Sequence, residues 1–264
     1  KHFKKIQSKN NSLIKSFKKT TNKKAVTKDR IKIDVMCNLE LSEEVKLLND
    51  SSDGIGLFRT EYLYMNRNDL PTEQEQFQAY SKVFNKVKNK PVTLRTLDIG
   101  SDKEVSENMK VGQIAKNPAL GLRGIRYSLY EKNLFKVQIK AMLRAAKKGK
   151  LRILIPMITT LDEINKAREL IEEAKVELIK EKKSFCNKYE LGIMIEVPAS
   201  AIQSNVLSKH VDFMSIGTND LVQYILAIDR IDDEVTSLYD PTNPAVLQLI
   251  KQVIETCDKS NVDV

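Results

Sequence analysis

Short apolar runs alternate with amphipathic segments along most of this 264-residue chain. Apolar or alternating runs of about four to eight residues bounded by turn residues are typical of strands, and a segment with helical period follows each of them here. The predicted strands are 31–37, 54–58, 92–97, 151–155, 192–195 and 211–216. Repeated strand–helix units predict a parallel sheet, either doubly wound or closed into a (β/α)8 barrel.

Capping signals mark the starts of several predicted helices. Thr160 followed by Glu163 is a capping-box pattern, and Asn243 directly before Pro244 can cap a last helix. A helix is also predicted from Pro71 to about residue 87. These starts place a helix after three of the predicted strands and so support the alternating pattern.

Two acidic residues follow predicted strands within residues 191–230. Glu196 comes directly after the strand 192–195, and Asp220 follows the strand 211–216 within a Gly-Thr-Asn-Asp turn. The carboxyl ends of neighbouring parallel strands meet at one mouth of a sheet, where ligands bind. Carboxylate pairs suit Mg²⁺, although either acid alone is more often a helix cap or a lysine partner. Together they indicate a metal site.

Arginines recur near the same predicted mouth. Arg95 lies inside a predicted buried strand, where a charge is costly unless it is paired or faces a cleft. Guanidinium groups bind phosphate and carboxylate in a bidentate manner. Taken singly, each arginine is more commonly part of a surface ion pair, but together with the acids they indicate a site for a small substrate that bears phosphate and carboxylate. The candidates are Arg59, Arg95, Arg123 and Arg230.

Charged residues at the ends of at least four predicted strands favour the barrel over the doubly wound sheet. Six strands are too few to close such a barrel, and another strand would begin at 261–264. The pattern therefore predicts a barrel that lacks its last units.

The formal net charge of +9 is confined to the start of the chain. Residues 1–30 contain eleven basic residues and one acid, whereas the remainder contains 33 basic and 34 acidic residues. A lysine-rich end can contact nucleic acid or anionic lipid, but this one lacks the interleaved arginines and aromatic residues of a nucleic-acid surface. We therefore interpret 1–28 as a helical linker and 29–264 as the barrel domain, with neither nucleic acid nor membrane as a partner.

The cysteines indicate a reducing compartment. Cys37, Cys186 and Cys257 are far apart and form no CxxC pair, which argues against a disulfide framework or a structural zinc site. No apolar run approaches the roughly 18 residues of a membrane span, and the first residues lack a signal-peptide pattern. The predicted location is the cytoplasm.

Seven motifs, taken in order, carry a resemblance to a known family. They are GIGLFRTEYLYM (54–65), PTEQEQF (71–77), RTLDIGSDKE (95–104), NPALGLRGIR (117–126), LRILIPMI (151–158), GIMIEVPAS (192–200) and DFMSIGTNDLVQYILAIDR (212–230). From about Ile31 onward the chain resembles the phosphoenolpyruvate-binding domain of enzyme I, the phosphoenolpyruvate–protein phosphotransferase of the bacterial sugar phosphotransferase system. Pyruvate phosphate dikinase and phosphoenolpyruvate synthase share a looser version of the motifs.

The resemblance implies a (β/α)8 TIM barrel of the phosphoenolpyruvate/pyruvate type that forms a homodimer. It implies that Mg²⁺ is held by Glu196 and Asp220. It further implies a phosphoenolpyruvate site in which Arg59 and Arg95 hold the phosphoryl and carboxylate groups. The other implied substrate-binding residues are Arg123, Asn219, Asp220 and Arg230.

The family passes a phosphoryl group from phosphoenolpyruvate to a histidine of a separate N-terminal domain, and then to a histidine-containing phosphocarrier protein for sugar uptake. Neither His2 nor His210 lies in the acceptor motif, and Cys257 does not match the family's proton-donating cysteine, whose motif would follow Val264. Ser101 and Ile231 stand where glycine is usual. We therefore expect a C-terminal fragment with the substrate site, no catalytic residue of its own, and no turnover alone.

Two alternatives remain open at this level. A dikinase or synthase would use the same site with a nucleotide-binding domain upstream. A regulatory or nucleic-acid-binding protein would combine a degenerate barrel with the basic arm of residues 1–30.

Overall fold

The computed structural model describes residues 6–7, 10, 24–48, 52–99, 117–147 and 149–264. Most of the predicted linker 1–28 and the position of Ser101 lie outside these ranges. The first described strands, β1 (Ala25–Val26) and β2 (Lys32–Ile33), pair antiparallel in a small hairpin. The prediction of one strand over 31–37 was therefore wrong, because its first half belongs to this hairpin and only Cys37 enters the main sheet.

Six parallel strands form the main sheet in the sequence order β3 to β8. They are β3 (Cys37–Leu39), β4 (Ile55–Arg59), β5 (Pro91–Arg95), β6 (Lys150–Ile155), β7 (Glu190–Ile195) and β8 (Phe213–Ile216). Beside β8, Asp263 forms a parallel bridge with Phe213, at the place predicted for another strand. Each strand thus pairs with the next along the chain, which confirms an α/β fold of the barrel type with six of its strands.

Helices and 3-10 turns connect the strands. The α-helices are α1 (Glu73–Val87), α2 (Ile125–Tyr130), α3 (Lys132–Ala145), α4 (Leu161–Lys180), α5 (Pro198–Ile202), α6 (Ser204–Leu207), α7 (Thr218–Leu226) and α8 (Pro244–Ser260). The 3-10 turns are Ser42–Leu47, Thr60–Leu63, Pro118–Leu120, Ser208–His210 and Thr236–Leu238. In the described ranges, no helix has the length and apolarity needed to cross a membrane.

The predicted caps are present. The hydroxyl of Thr160 accepts a hydrogen bond from the backbone of Glu163, whose carboxylate bonds back to the backbone of Thr160. The Asn243 side chain accepts from the N–H of Ala245 at 2.9 Å and starts α8. Satisfying these otherwise unpaired amides typically stabilises a helix by about 1 kcal/mol each.

Alternation along the strands divides the apolar residues between the two faces of the sheet. In β6, Ile153 and Ile155 belong to the large core beneath the helices, whereas Leu154 joins a small cluster with Met194 and Phe213 on the other face. Charged residues accumulate where the strands end. Arg59 and Arg95 are the last residues of β4 and β5 and are paired in register. The two strand ends therefore deliver adjacent arginines to the mouth of the sheet.

Candidate functional site

Three buried carboxylates meet at the C-terminal ends of the strands. Asp98 follows β5, Glu196 follows β7 and Asp220 lies in the first turn of α7 after β8. One oxygen of each lies within 4.8 Å of the others, and the residues are only 1%, 1% and 7% exposed. The structure thus brings together the two acids that the sequence singled out. Asp98 was missed as a member, although it directly follows a predicted strand just as Glu196 does.

Arg95 is buried among acids. Its guanidinium contacts Glu61 Oε1 at 2.6 Å and Asp98 Oδ2 at 3.0 Å, and the residue is 7% exposed. Burial lowers the pKa of Arg95, but the neighbouring Asp98 and Glu61 outweigh it and raise that pKa above its ordinary value. The prediction that a strand arginine must be paired or face a cleft is confirmed, and Glu61 is the partner that sequence reasoning did not find.

Arg123 joins the same cluster from the segment before α2. Its Nε donates to Asp98 Oδ1 at 2.9 Å, and Nη2 donates to Asp98 Oδ2 at 3.1 Å and to Asp220 Oδ2 at 2.8 Å. Gly124 permits this approach because its backbone has φ +58 and a Cβ there would lie 2.8 Å from that of Met157. Asp98 therefore bridges Arg95 and Arg123.

Glu196 is held differently. Its Oε1 accepts a hydrogen bond from the backbone N–H of Met157 at 2.6 Å. Burial raises the pKa of Glu196 to about 8, and the charges of Asp98 and Asp220 add to this effect, while Arg95 opposes it. Gly217 gives the carboxyl room, since a Cβ there would lie 2.9 Å from Glu196 Oε2. A bound cation would favour ionisation of this carboxyl at neutral pH.

Among the residues that the structure describes, buried acids at this mouth outnumber buried arginines. Four buried acids, Glu61, Asp98, Glu196 and Asp220, face two buried arginines, Arg95 and Arg123. With every acid ionised, these six groups carry a surplus of two negative charges. A divalent cation with oxygen ligands, of which Mg²⁺ is the common biological case, fits the carboxylates of Asp98, Glu196 and Asp220.

The other predicted substrate residues are more exposed and lie outside the buried cluster. Arg230 has a 40% exposed side chain and reaches Asp220 Oδ1 at 3.7 Å. Asn219 is exposed in the first turn of α7, and its carbonyl accepts from the hydroxyl of Tyr239. Arg59 lies beside Arg95 in register, but its guanidinium pairs with Glu40 at 2.8 Å. The structure therefore does not bring the guanidinium of Arg59 into contact with the acid cluster.

The residues that the sequence set aside lie elsewhere. His210 is exposed just before β8, at the opposite end of the strand from the cluster. Cys257 is fully buried in α8, where its sulfur lies 3.5 Å from that of Met214. Ile231 is 79% exposed and follows Arg230 outside any helix. His2 falls outside the described residues.

A parallel barrel-type sheet with buried acids and arginines at its mouth belongs to the class of α/β domains whose ligands bind at the carboxyl ends of the strands. Residues 15–264 match the family model described as PEP-utilising enzyme, PEP-binding domain. The chain belongs to this family, which confirms the resemblance drawn from its motifs.

Two similar curated proteins carry the same name. The phosphoenolpyruvate-protein phosphotransferase of Mycoplasma capricolum is 46% identical over 250 residues, which cover 94% of this chain and 43% of the relative. Its namesake from Bacillus subtilis is 43% identical over 242 residues, covering 91% and 42%. The chain thus spans less than half the length of these relatives. A citrate lyase structure from Burkholderia xenovorans is 15% identical, with a TM-score of 0.40 over 74% of this chain and 62% of that one, too distant to bear on function.

Proposed function

We propose that this chain is the phosphoenolpyruvate-binding domain of a phosphoenolpyruvate–protein phosphotransferase and that it binds phosphoenolpyruvate at the mouth of its sheet. The observation that carries the proposal is the buried cluster in which Asp98 bridges Arg95 and Arg123 next to Glu196 and Asp220. Such a constellation suits a ligand that combines a phosphate, a carboxylate and a metal. The names of the curated relatives support the same assignment.

Each arginine has a proposed role at this mouth. Arg95 and Arg123 would present fixed guanidinium edges to the phosphoryl and carboxylate oxygens, because buried acids already set their orientation. The more exposed Arg230 would close on the ligand from the segment after α7, and Asn219 would donate to the phosphate. Arg59 would have to leave Glu40 before it could contact the substrate.

Glu196 and Asp220 are the proposed ligands of Mg²⁺. The bound ion would neutralise negative charge on the phosphoryl group and on the enolate that remains after transfer. Asp98 is a poorer ligand candidate, because both of its carboxylate oxygens already accept from Arg123. We assign Asp98 the task of holding the two arginines instead.

The remainder of the reaction belongs to other parts of the proposed enzyme. The phosphoryl group would pass to a histidine of an N-terminal domain and then to a histidine-containing phosphocarrier protein that serves sugar uptake. We assign neither the acceptor nor the proton donor to a residue of this chain. A homodimer formed through the barrel and a cytoplasmic location are parts of the same proposal.

Calorimetric titration of the chain with phosphoenolpyruvate, with and without Mg²⁺, tests the proposal. We expect binding that depends on Mg²⁺ and that weakens at least about tenfold in Asp220→Asn, because a metal ligand is lost. Glu172→Gln on the exposed face of α4 is the matched control and should bind like the parent chain. Equal affinity in both variants, or binding indifferent to Mg²⁺, would contradict the assignment.

A further inference from the structure

Gln138 of α3 is fully buried and its carboxamide lies beneath the ends of two strands. Its Oε1 accepts from the backbone N–H of Leu97 at 2.9 Å, just beyond β5. Its Nε2 donates to the hydroxyl of Thr60 at 3.1 Å, just beyond β4. Thr60 in turn donates to the carbonyl of Arg95 at 2.7 Å. One side chain therefore links the backbone of both strand ends.

The surrounding polar groups fix the direction of these bonds. Tyr64 and Tyr80 donate their hydroxyls to Gln76 Oε1 at 3.2 and 3.0 Å, and Gln76 Nε2 donates to the carbonyl of Pro71. All three residues are at most 1% exposed. Because the N–H of Leu97 can only donate, the amide of Gln138 has one orientation, and donors and acceptors match throughout this buried network.

The two acids that bind Arg95 directly follow the two residues, Thr60 and Leu97, that Gln138 links. Glu61 follows Thr60, and Asp98 follows Leu97. The N–H of Thr96, which precedes Leu97, bonds to the carbonyl of Leu154 in β6, so the N–H of Leu97 points to the other side of the strand, toward β4. Among the described residues, no backbone carbonyl serves as its ladder partner there. The carboxamide of Gln138 takes the place of that partner. It thereby holds the backbone on both sides of the guanidinium.

We propose that Gln138 is a positioning residue that sets the Glu61–Arg95–Asp98 arrangement without touching the ligand. The part of this inference that concerns phosphoenolpyruvate rests on the function proposed above. A carboxamide in a purely packing role could be replaced by an apolar side chain of similar length with no effect on Arg95. Here its replacement leaves two strand ends without their anchor and shifts the groups that the substrate must meet.

Two variants and one control separate positioning from simple stability. Thr60→Val removes the hydroxyl that connects Gln138 to the carbonyl of Arg95 and keeps the side-chain shape. Gln138→Met removes the carboxamide at similar length. Ser208→Ala is the control, because the Ser208 hydroxyl is also buried but bonds to Ser260 of α8 rather than to this network, whereas the Tyr80 hydroxyl accepts from Gln138 Nε2 at 3.5 Å. All three lose a buried polar group, so a general loss of stability would affect them alike.

The measurements use the full 264-residue chain at a temperature where all variants are folded. The first is the NMR signal of the Arg95 Nε–Hε group and of the Asp98 amide, which requires no ligand. The second is the affinity for phosphoenolpyruvate with Mg²⁺. We expect shifted signals and at least about fivefold weaker binding in Thr60→Val and Gln138→Met, in line with the loss of one buried hydrogen bond, and no change in Ser208→Ala.

The outcomes are distinct. Unshifted signals in Thr60→Val, or shifts of the same size in Ser208→Ala, would overturn the role of Gln138. If Gln138→Met does not fold, Thr60→Val decides the matter alone. If the parent chain binds no phosphoenolpyruvate but the signals shift as expected, the positioning role stands and the proposed function fails.

Discussion

Arg123 Nη2 and Asp220 Oδ2 are 2.8 Å apart although 97 positions separate them in the sequence. This ion pair connects the segment before α2 to the first turn of α7. One carboxylate oxygen of Asp220 also lies within 4.8 Å of an oxygen of Asp98 and an oxygen of Glu196. The same arginine also holds Asp98. An incoming anion at this mouth therefore meets guanidinium groups that are already oriented and already partly neutralised.

The stability of the metal-free chain should fall as the pH rises toward 8. The pKa of Glu196 is raised from 4.5 to about 8 in the folded chain, so the folded state holds this proton more tightly than the unfolded state. The resulting stabilisation is complete below the unfolded pKa and is lost as the pH passes through the folded one. Urea unfolding at several pH values between 5 and 9, compared with Glu196→Gln, should show a difference on the order of a few kcal/mol.

Added Mg²⁺ should reduce that difference at high pH, because a cation stabilises the ionised carboxyl. A profile for Glu196→Gln that parallels the parent chain would contradict the raised pKa. The control variant keeps the shape of the side chain and removes only its titration.

Arg95→Met should destabilise the chain strongly. Glu61 and Asp98 would lose a buried guanidinium that lies 2.6 and 3.0 Å from them, and leaving buried charges without their partner costs about 3–5 kcal/mol. Chemical denaturation measures the loss. A change below about 1 kcal/mol would mean that the two acids are neutral or solvated in the folded chain.

Arg59→Met should behave in the opposite way. Its ion pair with Glu40 is partly exposed, with side chains 36% and 43% accessible, and such pairs contribute about 0–1 kcal/mol. Stability should therefore change little, whereas affinity for phosphoenolpyruvate should fall at least about tenfold if Arg59 leaves Glu40 to bind the substrate. Glu40→Gln tests the competition, since it should leave affinity unchanged or strengthen it. Unaltered affinity in Arg59→Met would remove this residue from the site.

Gly192→Ala should destabilise the sheet. A Cβ at this position would lie 2.4 Å from Phe213 Cζ, and overpacking of this kind typically costs about 1–3 kcal/mol. Phe213 cannot simply turn aside, because the guanidinium of Arg152 stacks 4.0 Å above its ring. Thermal unfolding of Phe213→Leu with and without Gly192→Ala provides the control. Without the ring, adding Gly192→Ala should lower the unfolding temperature by less than it does in the parent chain. No loss in the single variant would show that the ring has room to move.

Helix caps and strand ends depend on residues that are close in the sequence, and their positions were predicted well. The capping pair Thr160 and Glu163 and the cap at Asn243 lie where their helices start, and the strands end next to Glu196 and Asp220. The same strand-end reasoning would have found Asp98. The hairpin around residues 25–33 was missed because β1 is only two residues long in a polar stretch, and the alternation over 31–37 was interpreted as one strand although it includes β2 and the first residue of β3.

Other contacts were beyond a reading of the sequence because they join distant elements. Helical period places Gln138 on α3 but does not show which backbone N–H its amide reaches, 41 positions away. Strand register predicts that Arg59 and Arg95 are neighbours, yet the choice of Glu40 by one and Glu61 by the other depends on side-chain rotamers. The roles of the predicted substrate and metal residues stay predictions until binding is measured.

The surplus of acids over arginines around Asp98 has a kinetic consequence. Whether or not Glu196 keeps its proton, these six buried groups sum to a negative charge, and the more exposed Arg59 and Arg230 supply the positive charge that a phosphoenolpyruvate trianion would meet first. A magnesium ion that arrives first would cancel negative charge on the buried groups, and one that travels with the substrate would lower the charge of the anion. Under the proposed function, the rate at which phosphoenolpyruvate associates would therefore rise with the Mg²⁺ concentration.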